Sequence, residues 1–215
     1  MMWRSLVAYL SATLLLGVGL QTAVAATASS KPKIVLVVGD SLSAGYGIDI
    51  ERAWPTLLDR RLQTEGYGYR VVNASVSGET SAGADTRVAH LLELHRPAIM
   101  ILEIGANDGL RGLPLTQTRQ HLTSILDKAA ARKVRTLLVG MRMPPNYGAR
   151  YTEGFYSLFA DLAATRQLAW VPFLLEGVAL DPQLIQTDGL HPTAAAQPQL
   201  LDNVWQALRP MLKSK

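Results

Sequence analysis

The stretch that decides the fold is Lys-Ile-Val-Leu-Val-Val-Gly-Asp-Ser at residues 33–41. Residues 33–38 form a short run rich in β-branched side chains with little alternation, which predicts a strand buried on both faces of a sheet. The run ends at Gly39-Asp40-Ser41, where a glycine allows the chain to turn sharply. We therefore expect the Ser41 hydroxyl to be presented at the edge of the sheet, just beyond the strand.

Similar runs recur along the chain and alternate with segments of helical periodicity. The other predicted strands are 69–72, 98–104, 134–140 and 168–173, and the predicted helices are 54–63, 84–95, 115–132, 155–166 and 193–212. This alternation indicates right-handed βαβ crossovers, which place helices on both faces of a parallel sheet. We predict an α/β protein, a three-layer α/β/α sandwich with a five-stranded parallel sheet. Ligands then bind beyond the carboxyl ends of the strands.

Length and composition restrict the class of protein. A chain of 215 residues that is 48% hydrophobic can bury one well-filled core, and we predict a single domain over residues 26–215. The net charge of +4 is small and scattered, which argues against a nucleic-acid partner. With no cysteine, the chain forms no disulfide and offers no thiol for lipid attachment. We expect a monomer.

The N-terminus has the pattern of an export signal. Arg4 precedes an apolar stretch at 6–20, and Ala-Val-Ala-Ala at 23–26 has the small-x-small form of a cleavage site. We predict a signal peptide over residues 1–25 and a periplasmic or secreted mature protein. The alternative is an uncleaved membrane anchor, because the apolar run with its flanks approaches the length that spans a bilayer. No later stretch is long and apolar enough to span.

Residues at predicted strand ends and loops supply the parts of an acyl-transfer site. Asp188 and His191 lie three apart in a loop-like segment, so the carboxylate can hold one imidazole nitrogen while the other faces a distant hydroxyl. Together with Ser41 they form a candidate catalytic triad. Taken singly, a serine such as Ser41 more often fills a turn or a helix cap, and an Asp-x-x-His pair is as typical of a local turn contact or helix cap.

Acyl transfer also needs hydrogen-bond donors aimed at the oxyanion of the tetrahedral intermediate. The candidates are the backbone N–H groups of Ser41 and Gly78 and the side-chain amide of Asn107. A glycine at position 78 leaves room for the backbone to approach the reacting carbon. The alternatives are an ordinary turn glycine and an Asx-turn asparagine.

In this order and at these spacings the segments resemble the SGNH or GDSL hydrolases, whose four letters fall on Ser41, Gly78, Asn107 and His191. Longer stretches are similar to the thioesterase I, lysophospholipase and arylesterase branch of that family: residues 39–47, 53–55, 71–80, 107–112 and 145–148. The resemblance implies a flavodoxin-like sheet, a periplasmic location and no cofactor or metal. It also implies small-molecule substrates, namely acyl esters, acyl thioesters and lysophospholipids.

Several residues near strand ends are candidates to line an acyl groove: Leu110, Pro144, Pro145, Tyr147 and Phe173. Arg111 could steer a phosphate or carboxylate, or could be a solvated surface arginine. Two other functions stay open. One is a carbohydrate deacetylase of the same family, and the other is a non-catalytic exported module that binds a lipid or peptide. Binding alone would not require a nucleophile, an orienting carboxylate and oxyanion donors together.

Overall fold

The computed structural model describes residues 31–213, and five parallel strands form its central sheet. The strand order is β2-β1-β3-β4-β5. This confirms the predicted five-stranded parallel sheet. The strands are β1 Lys33–Gly39, β2 Tyr69–Asn73, β3 Ile99–Glu103, β4 Arg135–Val139 and β5 Ala169–Val171.

The two central strands are apolar on both faces, as a sheet covered by two helical layers requires. In β1 the side chains of residues 35–38 are fully buried, and in β3 all five residues are buried. β1 pairs in parallel with β2 and with β3, so that Val35 lies opposite both Val71 and Ile99. These strands form the middle of the hydrophobic core.

Seven α-helices connect and cover the strands within the described residues. α3 packs against α5 and α5 against α6, while α2 packs against α7. These two groups are the outer layers of the predicted three-layer sandwich. The helices are α1 Ser41–Ala44, α2 Trp54–Thr64, α3 Ser81–His95, α4 Ala106–Leu110, α5 Leu115–Ala131, α6 Ala149–Arg166 and α7 Gln197–Leu208.

Two helices differ from the sequence-based expectation by more than three residues at one end or both, and α3 begins three residues earlier than expected, at Ser81. α6 begins at Ala149 rather than at residue 155, because Gly154 lies inside the helix and does not break it. A β-carbon at Gly154 would approach Leu115 Cδ1 to 2.9 Å, so this glycine allows close packing between helices. α7 runs from Gln197 to Leu208 rather than over residues 193–212, with Pro198 in its first turn, where proline fits a helix.

The strand order places a crevice at the carboxyl edge of the sheet. β2 lies on one side of β1, and β3 lies on the other side. The chain therefore leaves β1 in one direction and returns past it in the other, so the order of connections reverses at β1. In open α/β sheets ligands bind at such a reversal. Gly39 and Glu103, the last residues of β1 and β3, are register partners there, and the segments that carry Ser41 and Asn107 follow directly.

The predicted signal peptide and its alternative, an uncleaved anchor, concern residues 1–25, which lie outside the described residues. Among the helices of residues 31–213, none has the length and apolar character needed to cross a membrane.

Candidate active site

Ser41, His191 and Asp188 form one continuous chain of hydrogen bonds. Ser41 Oγ lies 2.8 Å from His191 Nε2, although the two residues are 150 positions apart in sequence. His191 Nδ1 lies 2.6 Å from Asp188 Oδ2. With Asp188 ionised, Nδ1 carries the proton and donates it, which leaves Nε2 to accept the serine hydroxyl proton. This arrangement can activate an alcohol as a nucleophile.

Asp188 is held in its ionised form by its own loop. Its Oδ1 accepts hydrogen bonds from the backbone N–H groups of His191, at 3.0 Å, and of Leu190, at 2.9 Å. These two bonds, followed by the bond to the His191 ring, lower the pKa of Asp188 to about 2. The carboxylate is therefore charged at neutral pH and can orient His191 and stabilise its imidazolium.

The loop that carries Asp188 and His191 is closed by backbone hydrogen bonds. Gln186 N–H donates to His191 O at 2.7 Å, and Thr193 N–H donates to Leu184 O at 2.7 Å. The Gln186 side chain also donates to Tyr46 O, and the Tyr46 ring lies 4.4 Å from the His191 ring. Tyr46 and Gln186 thus fix the position of the base, and no sequence motif predicted this role.

Ser41 begins the single-turn helix α1. Asp40 caps this helix, because its Oδ1 accepts the N–H of Leu42 at 3.1 Å. Gly45 ends it in the left-handed conformation, with φ of 77°. The Asn73 side chain, at the end of β2, donates to Ser43 O at 2.8 Å. The turn that presents Ser41 is therefore tied both to its own cap and to the neighbouring strand.

The three candidate oxyanion donors differ in their present partners. Within residues 31–213 the N–H groups of Ser41 and Gly78 donate to no protein acceptor, so both are free to bind an oxyanion. Asn107 Nδ2 donates to Glu79 O at 2.9 Å and, more weakly, to Asp40 Oδ2 at 3.3 Å. Within residues 31–213 no backbone N–H donates to Asn107 Oδ1, and Gly109 N–H donates to Gly105 O instead, so the Asx-turn named as the alternative is not formed.

Asp108, the neighbour of Asn107, joins α4 to α3. Its two carboxylate oxygens accept hydrogen bonds from the backbone N–H and the hydroxyl of Ser81, at the start of α3. Thr118 Oγ1, on α5, donates to it at 3.3 Å. Asp108 is 2% exposed, so it holds loop backbone rather than exchanging protons with a ligand.

A cleft of about 1100 Å³ opens beside the hydrogen-bonded chain. Of the residues predicted to line an acyl groove, four line this cleft: Leu110, Pro144, Pro145 and Phe173. Tyr147 does not line it. Instead the Tyr147 hydroxyl donates to Leu110 O at 2.9 Å, so Tyr147 supports the cleft wall from behind. Other apolar side chains in the lining are Met141, Met143, Leu175, Val178, Ala179, Leu180, Pro182, Ile185 and Leu190. The charged residues Arg142, Glu176 and Asp181 line the cleft as well.

Two arginines lie near the cleft and have different surroundings. Arg111 donates to Gly78 O at 3.0 Å and so fixes the loop that contains the candidate oxyanion donor. Arg142, which belongs to no sequence motif of the site, lines the cleft and places its guanidinium 4.1 Å from the centre of the Tyr156 ring. Within residues 31–213 no group of three or more His, Cys, Asp or Glu side chains stands close enough to hold a metal.

Comparison with known proteins identifies the family. The sequence profile of the GDSL-like Lipase/Acylhydrolase family matches residues 37–197. The chain belongs to this family. The resemblance stated from the motifs is confirmed, and so is the class of enzyme, an acyl hydrolase.

Individual GDSL hydrolases are similar over most of the chain. "Esterase TesA" of Pseudomonas aeruginosa is 49% identical over 186 residues, which is 86% of this chain and 92% of that protein. "Thioesterase 1/protease 1/lysophospholipase L1" of Escherichia coli K12 is 42% identical over 178 residues, 83% of this chain and 84% of that protein. The crystal structure of TesA superposes with a TM-score of 0.82 at 50% identity, covering 84% of this chain and all of that one.

A buried pair of carboxyl groups lies beneath the Ser41 turn of this GDSL hydrolase. Asp40 and Glu103 are both fully buried, and Glu103 Oε2 accepts the Asp40 N–H at 3.3 Å. Burial raises the pKa of Asp40 to about 6, although the hydrogen bond from Leu42 N–H opposes the change. Burial, and secondly the charge of Asp40, raise the pKa of Glu103 well above its usual range. Two like charges so close in the core cannot both form easily.

This pair makes stability fall as the pH rises. The pKa of Asp40 rises on folding from 3.8 to about 6. Its contribution to the free energy of unfolding is therefore fully present below pH 3.8 and is lost as the pH rises to about 6. The loss amounts to up to about 3 kcal/mol of unfolding free energy. Asp40→Asn removes the titrating group. We therefore expect the Tm of the variant, measured by calorimetry, to rise relative to that of wild type as the pH is raised from 4 to 7. A Tm difference that is constant over this range would contradict the assignment.

Proposed function

We propose that the chain is a serine hydrolase of acyl esters and thioesters, with Ser41 as nucleophile, His191 as base and Asp188 as the group that orients the base. The observation that carries the proposal is the unbroken chain of hydrogen bonds from Ser41 Oγ through both His191 ring nitrogens to Asp188 Oδ2. An orienting carboxylate, a base and a nucleophile within hydrogen-bond reach of one another are the parts that acyl transfer requires.

The reaction proceeds in two halves. Ser41 Oγ attacks the acyl carbon while His191 Nε2 takes the hydroxyl proton, and the carbonyl oxygen becomes an oxyanion held by Ser41 N–H, Gly78 N–H and Asn107 Nδ2. The intermediate collapses, His191 gives its proton to the leaving alcohol or thiol, and an acyl ester remains on Ser41. A water then attacks the acyl ester, again through His191, and releases the carboxylic acid.

The cleft supports substrates with an apolar acyl group. Methionine, leucine, valine and proline side chains form most of its wall, beside Arg142, Glu176 and Asp181. A mostly apolar wall suits an acyl chain better than a sugar ring with many hydroxyls. The relatives carry the names esterase, arylesterase, and thioesterase and lysophospholipase. We therefore favour aryl esters, acyl thioesters and lysophospholipids over the acetylated carbohydrates of a deacetylase, and a catalytic over a purely binding role.

We further propose that residues 1–25 direct export and that the mature enzyme acts in the periplasm. The support is the Ala-Val-Ala-Ala cleavage pattern that follows the apolar stretch. N-terminal sequencing of the protein from a periplasmic extract tests the proposal. A chain that starts near residue 26 supports it, and an intact N-terminus in the membrane fraction supports the anchor instead.

A fluorophosphonate probe tests the nucleophile directly. We expect the folded protein to be labelled at one site, Ser41, because only this hydroxyl among residues 31–213 is bonded to a histidine ring nitrogen. Digestion and mass spectrometry locate the adduct. Ser41→Ala abolishes labelling, whereas Ser157→Ala, which changes a serine in α6, leaves it intact. An adduct on another serine would remove Ser41 from this role.

We expect Asn107→Ala to lower kcat by about 10²- to 10³-fold with KM little changed, because a side-chain oxyanion donor acts only as negative charge develops. The variant also loses the bond from Asn107 Nδ2 to Glu79 O, so its Tm should fall. Steady-state kinetics and thermal unfolding on one preparation separate the two effects. A variant of lower Tm whose folded fraction turns over at the parental rate would exclude Asn107 from the oxyanion hole.

A further inference from the structure

Glu103 is a buried acid that the proposed reaction does not use. It is the last residue of β3, has no solvent exposure and lies opposite Gly39 in the register of β1 with β3. The other side chains of β3 are apolar. An acid at this position adds nothing to the hydrophobic core, since burial of a carboxyl group costs free energy that an apolar side chain would not.

The contacts of Glu103 converge on the turn that carries Ser41. Its Oε2 accepts a hydrogen bond of 2.6 Å from Ser43 Oγ and one of 3.3 Å from the backbone N–H of Asp40. Asp40 and Ser43 stand on either side of Ser41, so one carboxyl oxygen holds the turn from below at two points. Ser43 is itself fully buried, which makes this bond inaccessible to competing water.

The absence of a side chain at Gly39 allows the carboxyl group of Glu103 to reach the turn. A β-carbon at position 39 would lie 2.6 Å from Glu103 Oε2 and 2.8 Å from Ser43 Oγ, closer than any side chain tolerates. The backbone at Gly39 therefore packs directly against the bonded pair. Gly39 is the last residue of β1 and has no positive φ angle, so the absence of a side chain here serves to make space for the carboxyl group of Glu103.

The surroundings of Glu103 favour a neutral carboxyl group that accepts hydrogen bonds over an ionised carboxylate. Glu103 Oε1 is buried and has no hydrogen-bond partner within the described part of the chain. A neutral carboxyl group can offer Oε2 as a carbonyl oxygen to both donors and keep its proton on Oε1. The raised pKa of Glu103, which is due first to burial, agrees with this neutral form.

We propose that Glu103 is a positioning residue of the reaction, which keeps the Ser41 hydroxyl within reach of His191 by fixing residues 40–43 to the end of β3. The inference rests on the proposed function of Ser41. Its energetic basis is that the nucleophile must be held close to its attack geometry, and a displacement of about 1 Å can cost roughly 10²-fold in rate.

Three single variants and one double variant of Glu103 and its donor Ser43 test this role. Glu103→Gln keeps a carbonyl acceptor in a side chain of the same shape, so we expect kcat within about threefold of wild type. Glu103→Leu has similar volume but no acceptor, and it should lower kcat by about 10- to 100-fold with KM changed less than threefold. Ser43→Ala removes one donor and should give a smaller loss. The Ser43→Ala/Glu103→Leu double variant should be no slower than Glu103→Leu.

The matched control is Ile99→Ala, which opens a cavity at the opposite end of the same strand. It should lower Tm while the folded enzyme keeps its kcat. Rates are measured with a short-chain p-nitrophenyl ester well below each Tm, and the folded fraction is followed by circular dichroism. Equal loss of kcat in Glu103→Gln and Glu103→Leu overturns the proposal. So does a Glu103→Leu enzyme as fast as Ile99→Ala.

If Glu103→Leu does not fold, Glu103→Gln and Ser43→Ala decide the question. Retained kcat in the first with a reduced kcat in the second supports the proposal, and an unchanged kcat in Ser43→Ala overturns it. Failure of the proposed function has a different signature, because wild-type protein would then not be labelled at Ser41 by the fluorophosphonate. Labelling at Ser41 with an ineffective Glu103→Leu substitution overturns only the positioning role.

Discussion

We expect His191→Ala to lower kcat by about 10⁶-fold, the scale seen when the base of a serine protease is removed. The reason is that Ser41 Oγ has its only ring-nitrogen partner in His191 Nε2, at 2.8 Å, among the described residues. Without it the hydroxyl proton has no acceptor, and the leaving group has no donor. The residual rate would come from the oxyanion donors and from binding alone.

The chain contains a matched control for this variant. His121, on α5, also places its Nδ1 next to a carboxylate, at 3.1 Å from Asp85 Oδ2, and so bridges two helices. Among the residues that the structure describes, no serine bonds to the His121 ring. We expect His121→Ala to lower Tm and to leave kcat within about twofold, since it removes a packing contact and no catalytic group. Single-turnover measurements of both variants, at a temperature where both are folded, make the comparison. A His191→Ala enzyme with more than one-hundredth of the wild-type kcat would contradict the proposed base.

Asp188→Asn should lower kcat by about 10⁴-fold while the protein stays folded. The Asn side chain can still accept the two backbone N–H bonds at Oδ1, so the loop keeps its shape. Its amide N–H then faces His191 Nδ1 and donates to it. The ring must carry its proton on Nε2, which now faces Ser41 Oγ as a donor and can no longer accept the hydroxyl proton.

Asp85→Asn is the corresponding control, because Asp85 bonds His121 and Lys128 outside the site. It should reduce Tm and not kcat. For Asp188→Asn we expect KM to change little, and the pH profile of kcat/KM should lose the shape set by the wild-type base. Unchanged kcat/KM for a short-chain aryl ester would reject the orienting role of Asp188.

The sheet could be predicted because its strands leave a simple pattern. Residues 34–38 and 98–102 are apolar without alternation, and the structure has strands Lys33–Gly39 and Ile99–Glu103 there. The helix boundary at Ala149 could not be found in the same way. Gly154 has the appearance of a break until Leu115 of a neighbouring helix is seen to pack against it.

The candidate site was predictable where single motifs carry the chemistry, and not where support comes from distant residues. Ser41 and His191 belong to recognisable segments, and the structure brings them within 2.8 Å. Glu103 is one polar residue in an apolar run, and its structural role depends on the register between β1 and β3. Tyr46 acts through its ring against His191, and Tyr147 through its hydroxyl on Leu110 O, which are contacts that sequence spacing does not encode.

The long separation between Ser41 and His191 also has a consequence for when the enzyme becomes active. All five strands are complete by Val171, so a nascent chain that ends before residue 188 contains every strand of the sheet but has neither the base nor its carboxylate. Contacts this distant in sequence form late, because a long loop must close first. Hydrolysis therefore begins only when the final segment of the chain docks beside the first strand. The time at which turnover begins during refolding therefore reports when the segment with Asp188 and His191 docks.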